Sequence, residues 1–308
     1  MNVYSLCALC GSALLLASCE EVVTTAQLSG PTMGTTWSLQ ASGADAGTRA
    51  LIQQHLDQRQ AVFSHWKDDS ALSQFNASLS TDWYPVPLEL VRVVQVAHDI
   101  AQQTDGVLDV TVAPLVDAWG FGAKSQSREK PGLQHIGWEH LRWRLEPPAL
   151  KKDDAQVRIN VASVTEGFVV DELVLMLKQR GLTDFLLEVG GEIAAIGHAP
   201  DGGPWRVGIQ TPNAETGEAL ETLPLTNLCV ATSGSYRHRF EKEGRSYSHL
   251  MDPRTGRPIS HRLVSVTVIH QSCVLADGYA TALMVLGPER GRDAARRLGL
   301  RVIWIEEQ

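Results

Sequence analysis

The chain is poor in the features that mark several large functional classes. It has no excess of basic residues: 27 Lys and Arg stand against 35 Asp and Glu, for a net charge of −8. No basic stripe is available to neutralise phosphates, which argues against a nucleic-acid partner. After the first 18 residues no apolar run approaches the ~20 that a membrane-spanning helix needs. No cysteine spacing resembles a zinc site. What remains is ordinary for a globular body, with 44% hydrophobic and 20% charged residues in a chain of 308, enough for one large domain or two small ones.

Residues 1–18 (MNVYSLCALCGSALLLAS) also lack something, since no side chain among them is charged. A short apolar run ending in small residues reads as a secretory signal, too short to span a membrane. Leu16-Ala17-Ser18-Cys19 resembles a bacterial lipobox, which implies that Cys19 becomes a lipidated N-terminus after cleavage. The absence of Lys or Arg before the apolar run departs from that pattern. Cleavage without lipidation, or a buried apolar N-terminal helix, are the alternatives. Residues 19–31 then read as a polar tether broken by Gly30-Pro31, and 32–308 as the functional domain. Cys7 and Cys10 leave with the signal, so Cys229 and Cys273 are the remaining thiols of the body. They can pair in an oxidising compartment. Their apolar neighbours give the simpler expectation of two unpaired buried thiols.

Apolar periodicity predicts a strand over 35–40 and helices over 51–63 and 88–103. Residues 122–133 and 146–155 read as polar loops. A helix is expected over 165–180, with Thr165 as its cap and Gly181 as its stop. Strand-like runs follow over 184–189, 193–198, 205–210, 226–231 and 263–269, separated by Gly, Pro and Asn. Helices over 274–286 and 289–298 and a strand over 301–305 complete the chain. Long helices mixed with consecutive hairpin-like strands predict an α+β fold with largely antiparallel sheets.

Four strings place polar groups where packing alone does not call for them. They are PTMGTTW at 31–37, GVLDVTVAPLVDAWGFG at 106–122, SGSYR at 233–237 with SHLMDPRTG at 248–256, and ADGYATAL at 276–283. Asp252 to Gly256 makes a good turn, with Pro presetting φ and Gly supplying positive φ. Asp277 and Thr281 stand four residues apart on an otherwise apolar helix and so share a face. A carboxylate and a hydroxyl buried together need a partner or a cation, and Mg²⁺ prefers such oxygen donors. The plainer reading is an Asp that caps its helix and a Thr bonded to its own backbone.

Taken together and in order, the strings resemble those of the ApbE-type FAD:protein FMN transferases, from Met33 to about Gly287. The resemblance implies an ApbE-like fold and a reaction in which a threonine hydroxyl of an acceptor protein opens the pyrophosphate of FAD. The products would be an FMN phosphoester and AMP. It implies a Mg²⁺ site at Asp277 and Thr281, with backbone carbonyls of Ala280 and Ser163, and His249 as the base that takes the threonine proton. For FAD it implies Met33, Val107, Leu108, Asp109, Asn160, Glu166 and Leu250, with the ring of Trp66 available for stacking. Gly190-Gly191-Glu192 is a family-like turn, read as structural. The acceptor implied is a flavin-carrying subunit of a membrane electron-transfer complex, such as a sodium-pumping quinone reductase.

One segment departs from the family pattern. Asn160 stands where Asp is usual and Glu166 where Lys is usual, in the stretch that ends at Asp171. A carboxylate in place of a cation is expected to weaken pyrophosphate binding unless another charge compensates, for instance by pairing of Glu166 with Arg237 or Arg254. Two other activities fit the same residues. One is an FAD pyrophosphatase, in which water replaces the threonine; the other is a non-catalytic FAD-binding lipoprotein.

Overall fold

The computed structural model describes residues 25–122, 132–210, 219–235, 239–242 and 245–307. The signal segment, Cys19, most of the 122–133 loop and Arg237 lie outside the described residues. The chain opens with strands β1 (Thr25–Thr32) and β2 (Thr35–Ser42), then helices α1 (Ala46–Phe63) and α2 (Ala71–Ala77). Strand β3 (Tyr84–Pro85), helices α3 (Leu88–Gln103) and α4 (Ala113–Ala118), and strands β4 (Leu141–Leu145) and β5 (Pro148–Lys152) follow. After helix α5 (Ala162–Gln179) come β6 (Phe185–Val189), β7 (Glu192–Ile196), β8 (Trp205–Gln210), β9 (Ala219–Leu225) and β10 (Leu228–Gly234). Short strands β11 (Arg239–Lys242), β12 (Arg245–Ser248), β13 (Met251–Asp252) and β14 (Arg257–Pro258) lead to β15 (Leu263–His270). Helices α6 (Cys273–Leu286) and α7 (Pro288–Leu298) and strand β16 (Arg301–Glu306) end it.

Seven strands form one antiparallel sheet in the order β1-β2-β6-β7-β10-β15-β16. The expected α+β class is the one observed. On β2 the period-2 pattern turns Trp37, Leu39 and Ala41 inward, each at most 1% exposed. Strand β15 is buried on both faces. Val266 and Val268 pack into the helical core, while Ile269 joins Trp205, Val207 and Leu225 of the β8–β9 hairpin behind the sheet. Helix α6 is apolar almost all round and correspondingly buried all round, at the centre of the helical layer. Each large apolar side chain so buried stabilises the fold by about 1.5–3 kcal/mol before the entropy cost of ordering it.

Four expectations need correction. The stretch 146–155 is no loop, because its Pro148–Lys152 half pairs with Leu141–Leu145. Its Lys-rich composition hid a strand: Lys152 is 1% exposed and donates from Nζ to the Val157 carbonyl at 3.0 Å. The expected tether ends earlier than Pro31, since Thr25–Thr32 is the sheet's edge strand. Pro31 is tolerated there because an edge strand has a side that donates to no neighbour. Helix α5 starts at Ala162, and the Thr165 hydroxyl donates back to the Val161 carbonyl at 2.7 Å instead of capping. Finally, Cys229 and Cys273 are disulfide-bonded, with 5.0 Å between their Cα atoms. Cys229 lies opposite His270 in the β10–β15 register, and α6 begins three residues beyond His270, which brings Cys273 back to it.

Candidate active site

The helical layer and the turns at one end of the sheet enclose a cleft of about 1110 Å³, at the upper end of small-ligand sites. Its base is built by α5 and α6. Asp277 sits one turn into α6 and accepts a hydrogen bond at 3.0 Å from the Gly167 amide of α5. The two helices can approach this closely because Gly167 has no side chain; a Cβ there would lie 2.4 Å from the Cys273 carbonyl oxygen. Thr281, one turn further along, shares a hydrogen bond of 2.9 Å with the Ser233 hydroxyl of β10. Burial pushes the Asp277 carboxyl well above the usual carboxylate range, and the nearby negative charge of Glu166 pushes it further.

The rim is made of turns. The β1–β2 hairpin closes through Met33 and Gly34, both at positive φ (46° and 78°), as a two-residue primed turn requires. Met33 holds a conformation that side chains other than Gly seldom adopt, and this tip lines the cleft. Opposite, the 106–122 string packs on the Asp252–Gly256 turn: the Trp119 indole donates to the Gly256 carbonyl at 3.1 Å. In that turn Asp252 and Arg254 form a two-pronged ion pair at 2.8 Å from both Nε and Nη2, so Arg254 is already engaged. His249 lies just before it, with its ring 6.4 Å from that of Phe121. Trp66, 64% exposed, stands at the mouth with its ring 4.9 Å from that of His65.

Asp109, 7% exposed, accepts from the Thr111 amide and hydroxyl at 2.8 and 2.6 Å. Burial raises its pKa, and the bonds from Thr111 work against that rise. Thr111 in turn accepts from the Gly137 amide at 2.8 Å, so this carboxylate organises its own loop. Asn160 does similar local work, its side-chain oxygen accepting from the Ala162 amide at 3.0 Å at the start of α5. An Asn serves that turn as an Asp would, which accounts for the departure at 160.

Thus Met33, Trp66, Val107, Leu108, Asp109, Asn160, Ser163, Glu166, His249, Leu250, Asp277 and Thr281 all line one cleft, though they are spread over 249 positions of sequence. Ala280 is not among the lining residues: its side chain is fully buried in the helical core. Glu192, read as part of a structural turn, is on the cleft wall, as are His65 and Gln210, which sequence reasoning missed. Burial lowers the pKa of His65, against the pull of Asp117. Gln210 carries no local signal, being the last residue of an alternating strand.

Four carboxylates, Asp109, Glu166, Glu192 and Asp277, line the cleft, and no Lys or Arg is among its described lining residues. Asp277 and Glu166 repel one another at its base. A hard divalent cation beside Asp277 and Thr281 relieves that repulsion and matches the donor set of carboxylate, hydroxyl and backbone carbonyl, so these residues fit Mg²⁺.

The sequence and the fold both have relatives. The pattern of the ApbE family matches residues 33–304. A Vibrio cholerae protein named FAD:protein FMN transferase is 39% identical over 306 residues, covering 96% of this chain and 91% of its own length. The solved flavin transferase ApbE from Vibrio cholerae superposes with a TM-score of 0.83 at 36% identity, over 92% of this chain and 94% of that one. The apo flavinyl transferase ApbE of Pseudomonas stutzeri gives 0.84 at 34% identity, over 92% of each chain. The chain belongs to the ApbE family.

Proposed function

We propose that this chain is an FAD:protein FMN transferase that works with Mg²⁺ and modifies a threonine of an acceptor protein. The observation that carries the reading is the acidic base of the cleft. A pyrophosphate facing Glu166 and Asp277 is repelled unless a cation enters with it. The Asp277 carboxylate, the Thr281 hydroxyl and the Ser163 carbonyl would hold that cation. When bound, Mg²⁺ neutralises charge on the pyrophosphate and so favours phosphoryl transfer.

The remaining work falls to the chain itself. The acceptor's threonine oxygen forms a bond to the phosphorus of the FMN half, and the bond from that phosphorus to the oxygen bridging to AMP breaks. His249 takes the hydroxyl proton, and AMP departs with the bridging oxygen. Met33 and the 107–109 segment face the flavin, and Trp66 offers its exposed ring at the mouth.

The proposed location is the periplasmic side of a bacterial membrane, inner or outer, held by lipid at Cys19. The Cys229–Cys273 disulfide supports an oxidising compartment. An anchored enzyme there would meet subunits of membrane redox complexes as acceptors. The test is to incubate the protein with FAD and Mg²⁺, with and without a threonine-bearing acceptor, and weigh the products. Transfer predicts AMP and an acceptor heavier by one FMN phosphoester. Free FMN and AMP with an unmodified acceptor would make the chain a pyrophosphatase, and unchanged FAD would make it a binder.

A further inference from the structure

We infer that Asp171, which lies outside the cleft wall, is the positioning residue that sets the cation-binding face of α6. The inference rests on the reading of Asp277 and Thr281 as cation ligands. Asp171 sits on α5 and accepts three hydrogen bonds from the start of α6: from the Ser272 hydroxyl at 2.9 Å, the Cys273 amide at 2.8 Å and the Val274 amide at 3.1 Å. The first amides of a helix have no partner within it, and a negative charge there also complements the helix dipole. One carboxylate on a neighbouring helix therefore does for α6 what its own cap does only in part. Ser272, the cap residue, accepts from the Leu275 amide at 3.4 Å while donating to Asp171.

The geometry ties this cap to the site. Asp171 is about one helical turn beyond Glu166, which lines the cleft, and Gly167, whose amide donates to Asp277, and about two turns beyond Ser163, which also lines the cleft. Helix α5 thus grips α6 at two heights, at its N-terminus through Asp171 and one turn in at the ligand itself. The spacing between the Ser163 carbonyl on α5 and the Asp277 carboxylate on α6 depends on that grip. Loss of the Asp171 carboxylate frees the first turn of α6 to fray, and the ligand one turn in is the first functional group to feel it.

The test compares wild type with Asp171→Ala and Ser272→Ala in two measurements. The first is the Mg²⁺ dependence of the thermal midpoint without FAD, and the second is the split between kcat and the Mg²⁺ concentration for half-maximal rate. Asp171→Ala is expected to raise that Mg²⁺ concentration about tenfold or more, with the rate largely restored at saturating Mg²⁺. Ser272→Ala, which removes one of the three bonds, is expected to raise it about threefold. A merely structural cap predicts a lower thermal midpoint with an unchanged Mg²⁺ dependence, and that result would overturn the inference. If Asp171→Ala does not fold, an unchanged Mg²⁺ dependence in Ser272→Ala overturns it equally. A wild type that shows no Mg²⁺ response at all overturns the cation reading, and the inference falls with it.

Discussion

Two buried aspartates line the same cleft in opposite surroundings. Asp109 is supplied from its own neighbourhood: the amide and hydroxyl of Thr111, two residues on, both donate to it. Asp277 receives the Gly167 amide and otherwise faces the like charge of Glu166. Burial raises the pKa of both. The difference teaches that burial alone does not mark a ligand. A buried carboxylate is available to a cation when the fold leaves it short of donors, and Asp109 is not short.

The sharpest way to break this contrast is to remove Asp277. Asp277→Ala is expected to lower the FMN transfer rate roughly a thousandfold, since a charge-neutralising group at the reacting phosphates is lost. The metal-free protein should not suffer in proportion. Asp277→Asn removes a buried carboxyl that faces the charge of Glu166, so its metal-free midpoint at pH 7 should equal or exceed the wild-type value by up to about 2–4 °C. A large loss of metal-free stability would mean that the Asp277 charge holds the fold.

The disulfide strengthens the Asp277 side of the comparison, because it ties the first residue of α6 to β10. It closes a loop across a sequence separation of 44. Replacing both cysteines by Ala should lower stability by up to about 4 kcal/mol on chain-entropy grounds. Chemical denaturation with and without a reductant measures it; an identical midpoint under both conditions would remove the disulfide from the account.

Asp109→Ala should show the reverse pattern to Asp277→Ala. It strips Thr111 of its partner, with an expected stability loss of about 1–3 kcal/mol. The Mg²⁺ concentration for half-maximal response should stay where it is, whatever the rate. A shift comparable to that of a ligand variant would put Asp109 on the cation as well.

A third carboxylate marks the other end of the scale and gives the smallest effect. Burial alone would push the Glu172 carboxyl up, but His55 at 3.1 Å and Arg59 at 2.6 Å hold it below its ordinary value. A depressed folded pKa stabilises above the unfolded value near 4.5 and is lost as pH falls through the folded one. Between pH 5 and pH 3 the wild type should therefore lose about 1 kcal/mol that Glu172→Gln does not lose. Parallel acid-unfolding curves would contradict this.

The sequence makes some of this legible and hides the rest for identifiable reasons. The 88–103 helix is read to the residue because its apolar period is clean, and the four polar strings do converge on one cleft. Asp109 with Thr111 two positions on is a local pattern, open to reading. The partners of Asp277 are not local: Gly167 lies 110 residues away and Glu166 further still. The Cys229–Cys273 bond depends on the β10–β15 register, which no single segment encodes. Strand β5 was hidden by charge, because Lys152 buries its stem and satisfies its ammonium on a carbonyl. Asp171 was visible as the end of a familiar string, yet its work at α6 appears only once the two helices are seen together.

The central claim is that the cleft transfers FMN by means of a cation held at Asp277 and not at Asp109. Its most direct measurement is the mass of a threonine-bearing acceptor after incubation with FAD across a Mg²⁺ titration, using wild type, Asp277→Asn and Asp109→Asn. The account predicts FMN on the acceptor with the wild type only when Mg²⁺ is present, the same Mg²⁺ midpoint for Asp109→Asn, and almost no labelling by Asp277→Asn. Labelling by Asp277→Asn at the wild-type Mg²⁺ midpoint would contradict it.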